Sequence, residues 1–355
     1  MPMREATLSW TGVLCACVAG LFFSASSPVA AAQASEEFYR GKQITMLVGS
    51  GAGGGYDVYA RVFSRYATKH IPGNPTFIAK NVPSAGGMVA ANTLYNSAER
   101  DGLTIGALTN SSGLDPLLGS EGVRFDAQKL MWIGSIGKIE NICATWHTSP
   151  VKSIADVRAR EVMVAGAGAT TNTVIIPNIL NKLMGTKFKV IAGYDPGSGL
   201  TMAVESGETE GICGMGWSTL KASRPDWVTN KRLNILLQLG LEKLSDLPDV
   251  PSALDLIDDA ENRKVLELIL MRQEMGRPFA APPGVAMERV NLLRAGFDAT
   301  MKDPDFLADA KRGSLDIDPI SGKQIEALLA KAYGSSPSVI KEASILLSPP
   351  GASRP

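Results

Sequence analysis

The chain has few of the residues that catalysis and metal binding most often need. Its 355 residues include two histidines, His70 and His147, which stand singly at the ends of a predicted helix and a predicted strand. The motifs H-E-x-x-H, G-x-S-x-G and G-x-x-x-x-G-K-[ST] do not occur. A lone histidine is more typical of a packed or surface residue than of a base or ligand. The sequence therefore predicts no metal site and gives little support to an enzymatic function.

The sequence also lacks an excess of charge of either sign. It has 35 Lys and Arg residues and 35 Asp and Glu residues, so its formal net charge is zero. A chain without net charge is not drawn to nucleic acid or to an anionic membrane, and nucleic acid is not an expected partner. The length allows two domains with sizeable cores.

The first 34 residues have the pattern of a secretory signal peptide. Arg4 gives a positive start, residues 13–23 are apolar, and residues 30–34, AAAQA, offer a small-residue cleavage site. We expect residues 1–34 to be removed and the mature protein to be periplasmic. No later stretch of the sequence is long and apolar enough to span a membrane.

Residues 42–61, KQITMLVGSGAGGGYDVYAR, combine a strand, a glycine-rich loop and a helix. Residues 44–48 form a short apolar run that is typical of a buried parallel strand. From Asp57 onward, apolar residues recur at three- and four-residue steps, which predicts a helix. The glycines between strand and helix permit a close backbone approach. The loop N–H groups and the positive helix end can therefore face one anion.

Other loops of small and polar residues follow further predicted strands. They are residues 81–87, 109–113, 166–172 and 193–199. Strands that alternate with helices indicate parallel sheets, whose loops gather at the carboxyl ends of the strands. The strands fall into two sets, so we predict an α/β protein with two lobes and a cleft between them. The predicted first lobe comprises residues 36–142 and 263–355, and the second comprises residues 143–262.

The predicted second lobe contains both cysteines that remain after removal of the signal peptide, Cys143 and Cys213. An oxidising exported compartment permits a disulfide between them. Two buried free thiols in separate strands are the alternative, because a sequence gives no distance. We expect the two residues to be close.

The glycine-rich loop has two other interpretations. Residues 49–54, GSGAGG, match the dinucleotide pattern G-x-G-x-x-G, but residues 75–80, PTFIAK, lack the acidic residue that such sites use for the ribose. Glycines after a strand can also serve only to pack a helix on the sheet. Asp57 can likewise complement the helix dipole without contacting a ligand.

Several stretches resemble one known family. Residues 38–61, with Phe38-Tyr39 and Gly53-Gly54-Gly55-Tyr56-Asp57, resemble the opening motif of Bug-type receptors, the extracytoplasmic binding proteins of tripartite tricarboxylate transporters. Residues 81–87, NVPSAGG, followed by residues 101–105, DGLTI, are similar to the second motif of this family. Residues 247–252 and 279–285 are similar to two later segments. The resemblance covers nearly the whole mature chain.

The resemblance implies a two-lobed fold of the type II periplasmic binding proteins, with a mainly parallel sheet in each lobe. It implies a monomeric receptor that captures a small carboxylate, closes at a hinge and delivers the ligand to a membrane permease, without a cofactor. From the loops and the resemblance together, the expected ligand-binding residues are Ser50, Gly51, Ala52, Gly53, Gly54, Asp57, Ser84, Ala85, Gly86, Gly87, Thr109, Asn110, Gly168, Thr170, Thr171, Asn172, Tyr194 and Ser198. These loops contain no Arg or Lys, so amides, hydroxyls and helix ends would hold the anion.

The chain departs from the family pattern in two loops. Gly49-Ser50-Gly51 stands where the family commonly has proline and aromatic residues, and Asp195 places an acid in the loop of Tyr194 and Ser198. An acid near the pocket leaves the charge of the ligand open. Two other functions stay open at this stage: a carboxylate sensor without a role in transport, and an exported enzyme that acts on a small anion.

Overall fold

The computed structural model describes Met1 and residues 38–169, 171–195 and 198–348 of the protein. Apart from Met1, the predicted signal peptide lies outside these residues. The described strands are β1 (Gln43–Val48), β2 (Thr76–Asn81), β3 (Thr104–Ala107), β4 (Met131–Ser135), β5 (Asn141–Trp146), β6 (Val162–Gly166), β7 (Phe188–Ala192), β8 (Gly211–Gly216), β9 (Leu233–Leu239), β10 (Pro278–Ala281) and β11 (Ile320–Ser321).

The described α-helices alternate with these strands for most of the chain and then dominate its last part. They are α1 (Gly55–Ala67), α2 (Met88–Asn96), α3 (Ile154–Ala159), α4 (Asn172–Met184), α5 (Gly199–Glu205), α6 (Trp217–Ser223), α7 (Pro225–Thr229), α8 (Ala260–Glu274), α9 (Met287–Thr300), α10 (Pro304–Arg312), α11 (Gly322–Tyr333) and α12 (Pro337–Leu347). None of the helices in the described part of the chain is long and apolar enough to cross a membrane.

The first sheet has the strand order β11-β4-β10-β3-β1-β2. β1 pairs in parallel with β2 and β3. β10 lies between β3 and β4 and is antiparallel to both, and β11 is antiparallel to β4. β1 to β4 therefore run in one direction, and the two late strands make the sheet mixed.

The second sheet has the order β7-β6-β8-β5-β9. β6 pairs in parallel with β7 and β8, whereas β5 is antiparallel to β8 and β9. Cys143 of β5 lies opposite Cys213 of β8, with 3.8 Å between the Cα atoms, and the two residues form a disulfide. Both cysteines are fully buried, so this bond is in the core of the second sheet.

The chain passes between the sheets at residues 136–140 and 275–277, and these two segments run side by side. The Ile136 N–H donates to the Arg277 carbonyl oxygen at 3.2 Å, and the Ile139 N–H donates to the Gln273 carbonyl oxygen at 2.9 Å. A Cβ atom added to Gly276 would lie 2.5 Å from the Gly137 carbonyl oxygen, so the segments touch through their backbones. Two adjacent connections of this kind are suited to hinge motion of the sheets.

The last helices divide between the two sheets. α11 packs on β4 of the first sheet, and α12 packs on α8 and on α4, which follows β6 of the second sheet. One buried apolar cluster accordingly contains Trp132 of the first sheet, Cys143 of the second and Ala343 of α12. The division into residues 36–142 with 263–355 and residues 143–262 remains a prediction. In the structure, its first boundary falls inside β5.

Helix α1 is anchored through its apolar face. Phe63 packs on Phe279 of β10 and on Phe297 of α9, with ring centroids 4.8 and 5.6 Å away. All three rings are almost completely buried. This packing fixes the direction of α1, and therefore the position of its N-terminal end above the carboxyl end of β1.

Candidate functional site

The glycine-rich loop connects the carboxyl end of β1 to α1. The Gly49 N–H continues the sheet by donating to the Ala107 carbonyl oxygen of β3 at 2.9 Å, and the Gly54 N–H closes a turn onto the Gly51 carbonyl oxygen at 3.1 Å. Gly51, Ala52 and Gly53 are exposed, so their backbone groups can reach a ligand. The loop ends at Gly54, which has no side chain to cap α1.

Asp57 supports this loop from below. It is almost fully buried, and its carboxylate accepts hydrogen bonds from the Gly53 N–H at 2.8 Å, from Arg61 Nε at 2.9 Å and from Asn81 Nδ2 at 2.8 Å. Burial opposes ionisation of this group, but the hydrogen bonds from Arg61, Gly53 and Asn81 outweigh it and lower the pKa of Asp57 to about 2. The carboxylate therefore accepts its hydrogen bonds within the protein. This agrees with the interpretation that Asp57 complements the helix dipole without contacting a ligand.

We expect Asp57→Asn to lower the free energy of unfolding by about 1.5–3 kcal/mol, because a buried charge-assisted hydrogen-bond set is lost. The folded pKa lies below the usual value of about 3.9. The stabilisation is therefore complete above that value and is lost as the pH falls through about 2. Urea unfolding at pH 7 and between pH 4 and 2 measures both effects.

Asp305→Asn is the matched control for this substitution. Asp305 is also in the first turn of a helix, but its side chain is 75% exposed and its ion pair with Lys69 is at the surface. We expect that change to alter stability by no more than about 0.5 kcal/mol. Equal urea midpoints for Asp57→Asn and the wild-type protein would contradict the supporting role of Asp57.

The loop after β2 touches both neighbouring loops. Gly87, the residue before α2, has a φ of +90°. A Cβ atom placed on it would lie 2.6 Å from the Gly49 carbonyl oxygen and 2.6 Å from Thr109 Cγ2. The loops after β1, β2 and β3 therefore meet at one point, where only a glycine fits. Ser84, Ala85 and Gly86 of the same loop are exposed beside it.

The loop after β3 carries hydroxyl and amide groups. Thr109 Oγ1 lies 3.2 Å from the hydroxyl oxygens of Ser111 and Ser112. The Asn110 N–H donates to the hydroxyl oxygen of Tyr56, in the first turn of α1, at 3.1 Å. Burial raises the pKa of Tyr56, so its hydroxyl stays protonated and has a proton to donate in turn.

The corresponding loop of the second sheet follows β6. Thr171 folds back on this loop, since its hydroxyl donates to the Gly168 carbonyl oxygen at 2.7 Å and lies 3.0 Å from the Thr173 hydroxyl. Gly168 and Asn172 are exposed, and Asn172 is the first residue of α4. The Thr171 side chain does not cap α4. Thr170 lies outside the described residues.

The loop after β7 lies beside the loop after β6. The Tyr194 N–H donates to the Gly166 carbonyl oxygen at 3.2 Å, and the Gly193 N–H donates to that of Ala167 at 3.0 Å. The Asp195 carboxylate accepts a hydrogen bond from the Ser198 N–H at 3.2 Å, so at least part of its bonding capacity is used at the start of α5. Tyr194 is half-buried and Ser198 is exposed.

One small cavity is lined by residues of both sheets. Its polar lining consists of Asn110 from the loop after β3, Asn172 from the start of α4, and Arg272 and Gln273 from the end of α8. The cavity has a volume of about 20 Å³. It brings together two predicted site residues from opposite sheets. It also adds Arg272, which the loop sequences did not indicate because it lies more than 70 residues from the nearest of them.

Asn81 was also missed by the sequence analysis. It is the last residue of β2, and its side-chain amide donates to the Ser50 carbonyl oxygen at 2.9 Å as well as to Asp57. It occupies the position at the end of the second strand where a dinucleotide site carries an acid. The sequence feature that could have indicated Asn81 as a site residue is its position directly before Val82-Pro83-Ser84.

The two histidines lie outside these loops. His70 Nε2 is 2.7 Å from an Asp303 carboxylate oxygen at the far end of α1, and His147 Nε2 is 3.3 Å from an Arg232 nitrogen. Among the described residues, no group of three or more His, Cys, Asp or Glu side chains is placed to hold a metal ion. The loops can offer hydrogen bonds to an anion, whereas their described residues include no paired base and nucleophile.

The chain is similar to known periplasmic binding proteins. No family model matches it. A UPF0065 protein of Bordetella bronchiseptica is 24% identical over 292 residues, which are 81% of this chain and 80% of that protein. A TctC solute-binding protein from Polaromonas, solved without ligand, matches with a TM-score of 0.68 and 19% identity over 86% of this chain and 98% of that one.

Two further solved structures have the same fold. The periplasmic binding protein BugD matches with a TM-score of 0.58 and 18% identity over 86% of this chain and 98% of its own. MatC from Rhodopseudomonas palustris with bound malate matches with a TM-score of 0.57 and 16% identity over 86% of this chain and 99% of its own. The predicted fold of the type II periplasmic binding proteins is confirmed, and so is the predicted likeness to the Bug family. The prediction of a mainly parallel sheet in each lobe is corrected, since both sheets are mixed.

Proposed function

We propose that the protein is a periplasmic solute-binding receptor that captures a small carboxylate between its lobes and delivers it to a tripartite tricarboxylate transporter permease. The observation that carries this proposal is the meeting of three loops at Gly87, where exposed backbone groups of the first sheet surround one point. Such a site holds an anion through neutral donors and helix ends. The groups that line it are suited to binding and not to covalent chemistry.

The arrangement of the two sheets supports capture by closure. The connections at residues 136–140 and 275–277 touch at Gly137 and Gly276, so the two lobes can rotate relative to each other about a single hinge. Asn110 and Asn172 face the same cavity from opposite sheets. MatC was solved with bound malate, so a carboxylate is the first ligand class to test.

The ligand site of this proposal consists of the exposed backbone of Gly51 to Gly53 and Ser84 to Gly86, together with Asn110 from the first sheet. Gly168, Thr171, Asn172, Tyr194 and Ser198 close the site from the second sheet. Asp57 supports the first loop and does not contact the ligand. We also propose a signal peptide at residues 1–34, a monomeric mature protein and no cofactor.

A thermal-shift screen tests the function. Acetate, succinate, malate, adipate and citrate are added to the mature chain, since a ligand that binds only the folded state stabilises it by about 2.7 kcal/mol at 100 times its Kd. We expect at least one carboxylate to raise the melting temperature by several degrees. The corresponding neutral amides, with every carboxyl group converted, are the matched controls and should have no effect. If no carboxylate stabilises the protein at millimolar concentration, the proposed function is wrong.

A further inference from the structure

We infer that ion pairs across the hinge form an interlobe latch, which sets the balance between the open and closed forms of the ligand-free protein. The latch joins two carboxylates that lie with the first sheet to two lysines of the hinge and the second sheet. Its members are Asp316, Asp318, Lys138 and Lys221. This inference concerns the conformation of the free protein and goes beyond the proposed function.

The two carboxylates lie on residues 314–319, which lead into β11. The backbone of this segment is held on the first sheet, since the Asp318 N–H donates to the Ile136 carbonyl oxygen at 3.1 Å. The Asp316 carbonyl oxygen accepts a hydrogen bond from the Tyr59 hydroxyl of α1 at 3.2 Å. The apolar residues that alternate with these acids pack on the core of the first sheet. The segment therefore moves with the first lobe, while its carboxylates contact other elements.

Lys221 reaches Asp316 from the second lobe. It is in α6, which directly follows β8, and its Nζ lies 2.7 Å from an Asp246 carboxylate oxygen and 3.7 Å from one of Asp316. The indole N–H of Trp217 donates to the same Asp246 oxygen at 3.1 Å, so Lys221 is held on its own lobe. Burial opposes the charge of Lys221, but the two carboxylates outweigh it and raise its pKa. The lysine is therefore a fixed cation that faces the first lobe.

Lys138 joins the other carboxylate to the hinge. It lies in the connection of residues 136–140, and its side chain is 15% exposed. Its Nζ is 3.2 Å from Glu274 at the end of α8, 3.7 Å from Glu242 after β9, and 3.8 Å from Asp318. Burial lowers the pKa of Lys138, but the three carboxylates outweigh this effect and raise it. One cation thus bridges carboxylates that belong to both lobes.

Acids outnumber lysines around this part of the hinge. Glu140 lies on the same connection as Lys138, and burial together with the nearby carboxylates of Asp318 and Glu274 raises its pKa. Without Lys138, the carboxylates of Asp318 and Glu242 would face each other from opposite lobes and repel. The lysine therefore converts a repulsion between the lobes into an attraction.

The latch favours the form in which the lobes are close. The cavity lined by both sheets has a volume of about 20 Å³, so a molecule larger than water reaches it only after the lobes separate. Rotation at the hinge moves Asp316 away from Lys221, because the two residues are held on different lobes. The carboxylates of Asp316 and Asp318 are 52% and 62% exposed, and two such exposed pairs shift an equilibrium by about 2- to 30-fold.

Pulsed electron paramagnetic resonance on the ligand-free mature protein tests the inference. Nitroxide labels at Lys182→Cys in α4 and Lys302→Cys after α9 measure the separation of the lobes. Both lysines are exposed, and the two native cysteines of the mature chain are bonded and buried. The double variant Asp316→Asn, Asp318→Asn should raise the population at distances other than that of this structure by about 2- to 30-fold.

Two further measurements probe the latch from the other side. Lys138→Gln should shift the distances in the same direction and by more, because it leaves carboxylates of both lobes facing each other. Raising the salt concentration from about 0.01 M to about 1 M should also shift the protein with an intact latch, since the screening length falls from about 30 Å to about 3 Å. The Asp316→Asn, Asp318→Asn variant should respond less to salt.

The double variant Asp126→Asn, Asp305→Asn is the matched control. It removes the same number of charges, but each acid pairs with a lysine of its own lobe, Asp126 with Lys129 and Asp305 with Lys69, both at 3.2 Å. Its distances should equal those of the protein with an intact latch. Unchanged distances in folded Asp316→Asn, Asp318→Asn would overturn the inference, as would an equal shift in the control. No ligand is added, so these results leave the proposed function to the thermal-shift screen.

Discussion

Replacing Gly87 with alanine is expected to abolish carboxylate binding while the protein still folds. The new Cβ atom would lie 2.6 Å from both the Gly49 carbonyl oxygen and Thr109 Cγ2, at a φ of +90° that an alanine rarely adopts. Two of the three atoms nearest to the new Cβ atom belong to the backbone of Gly49, so the loops must separate. We expect the free energy of unfolding to fall by about 2–4 kcal/mol through overlap and backbone strain. Titration calorimetry with a carboxylate from the screen should give no measurable heat of binding.

Gly41→Ala separates backbone strain from overlap. Gly41 precedes β1, at the end of the strand opposite the loops, and has a positive φ of +67°, but a Cβ atom there meets nothing within 4 Å. We expect it to cost about 1 kcal/mol of stability and to leave affinity at the wild-type value. If folded Gly87→Ala binds the carboxylate as tightly as Gly41→Ala does, these three loops only pack on one another and the ligand site lies elsewhere.

Removal of the disulfide is expected to cause the second large effect. Cys143 and Cys213 are 70 residues apart in the chain, and a bridge over such a loop restricts the unfolded state strongly. The double variant Cys143→Ala, Cys213→Ala should lose about 2–5 kcal/mol of unfolding free energy, with additional loss from the buried space that the sulfur atoms fill. Urea unfolding of the oxidised wild-type protein and of the double variant measures the difference.

A reducing agent provides the control for this experiment. It should lower the urea midpoint of the wild-type protein toward that of the double variant, and it should not change the variant. The far-UV circular dichroism of the variant should stay close to wild type, because the hydrogen bonds of β5 to β8 and β9 do not depend on sulfur. Equal urea midpoints of the wild-type protein and the double variant, both measured without reducing agent, would show that the disulfide contributes nothing to stability.

The elements that the sequence predicted best are those with a local signal. The helix predicted from Asp57 onward lies within α1. The apolar run at residues 44–48 lies within β1. Each depends on a hydrophobic period or on flanking small residues, which a short window contains.

The insertion of β10 could not be predicted in the same way. Phe279 pairs with Ala107 of β3 and with Gly134 of β4, at separations of more than 140 residues. The short run of residues 278–281 does not indicate which strands it joins or in which direction. The mixed character of the first sheet is therefore a property of tertiary packing and not of local sequence.

The candidate site likewise has residues that the local sequence indicated and residues that it did not. The glycine loops after β1 and β2 were recognisable because each follows its strand directly. Asn81 and Arg272 were not, since their roles depend on contacts across the fold with Ser50 and with the cavity. The absence of Arg and Lys from the loops does not keep charge away from them, because Arg272 lines the cavity beside Asn110 from a helix that is distant in sequence.

The position of β10 has a consequence for the order in which the protein folds. In the first sheet, β3 and β4 lie on either side of a strand that comes after the whole of β5 to β9 in the chain. The second sheet is contiguous from residue 141 to residue 239, so it can be completed while the first still consists of separate pieces. Until Pro278–Ala281 arrives, β3 and β4 have open edges that can pair with other chains. The sheet whose strands begin first in the chain is therefore the sheet that can be completed last.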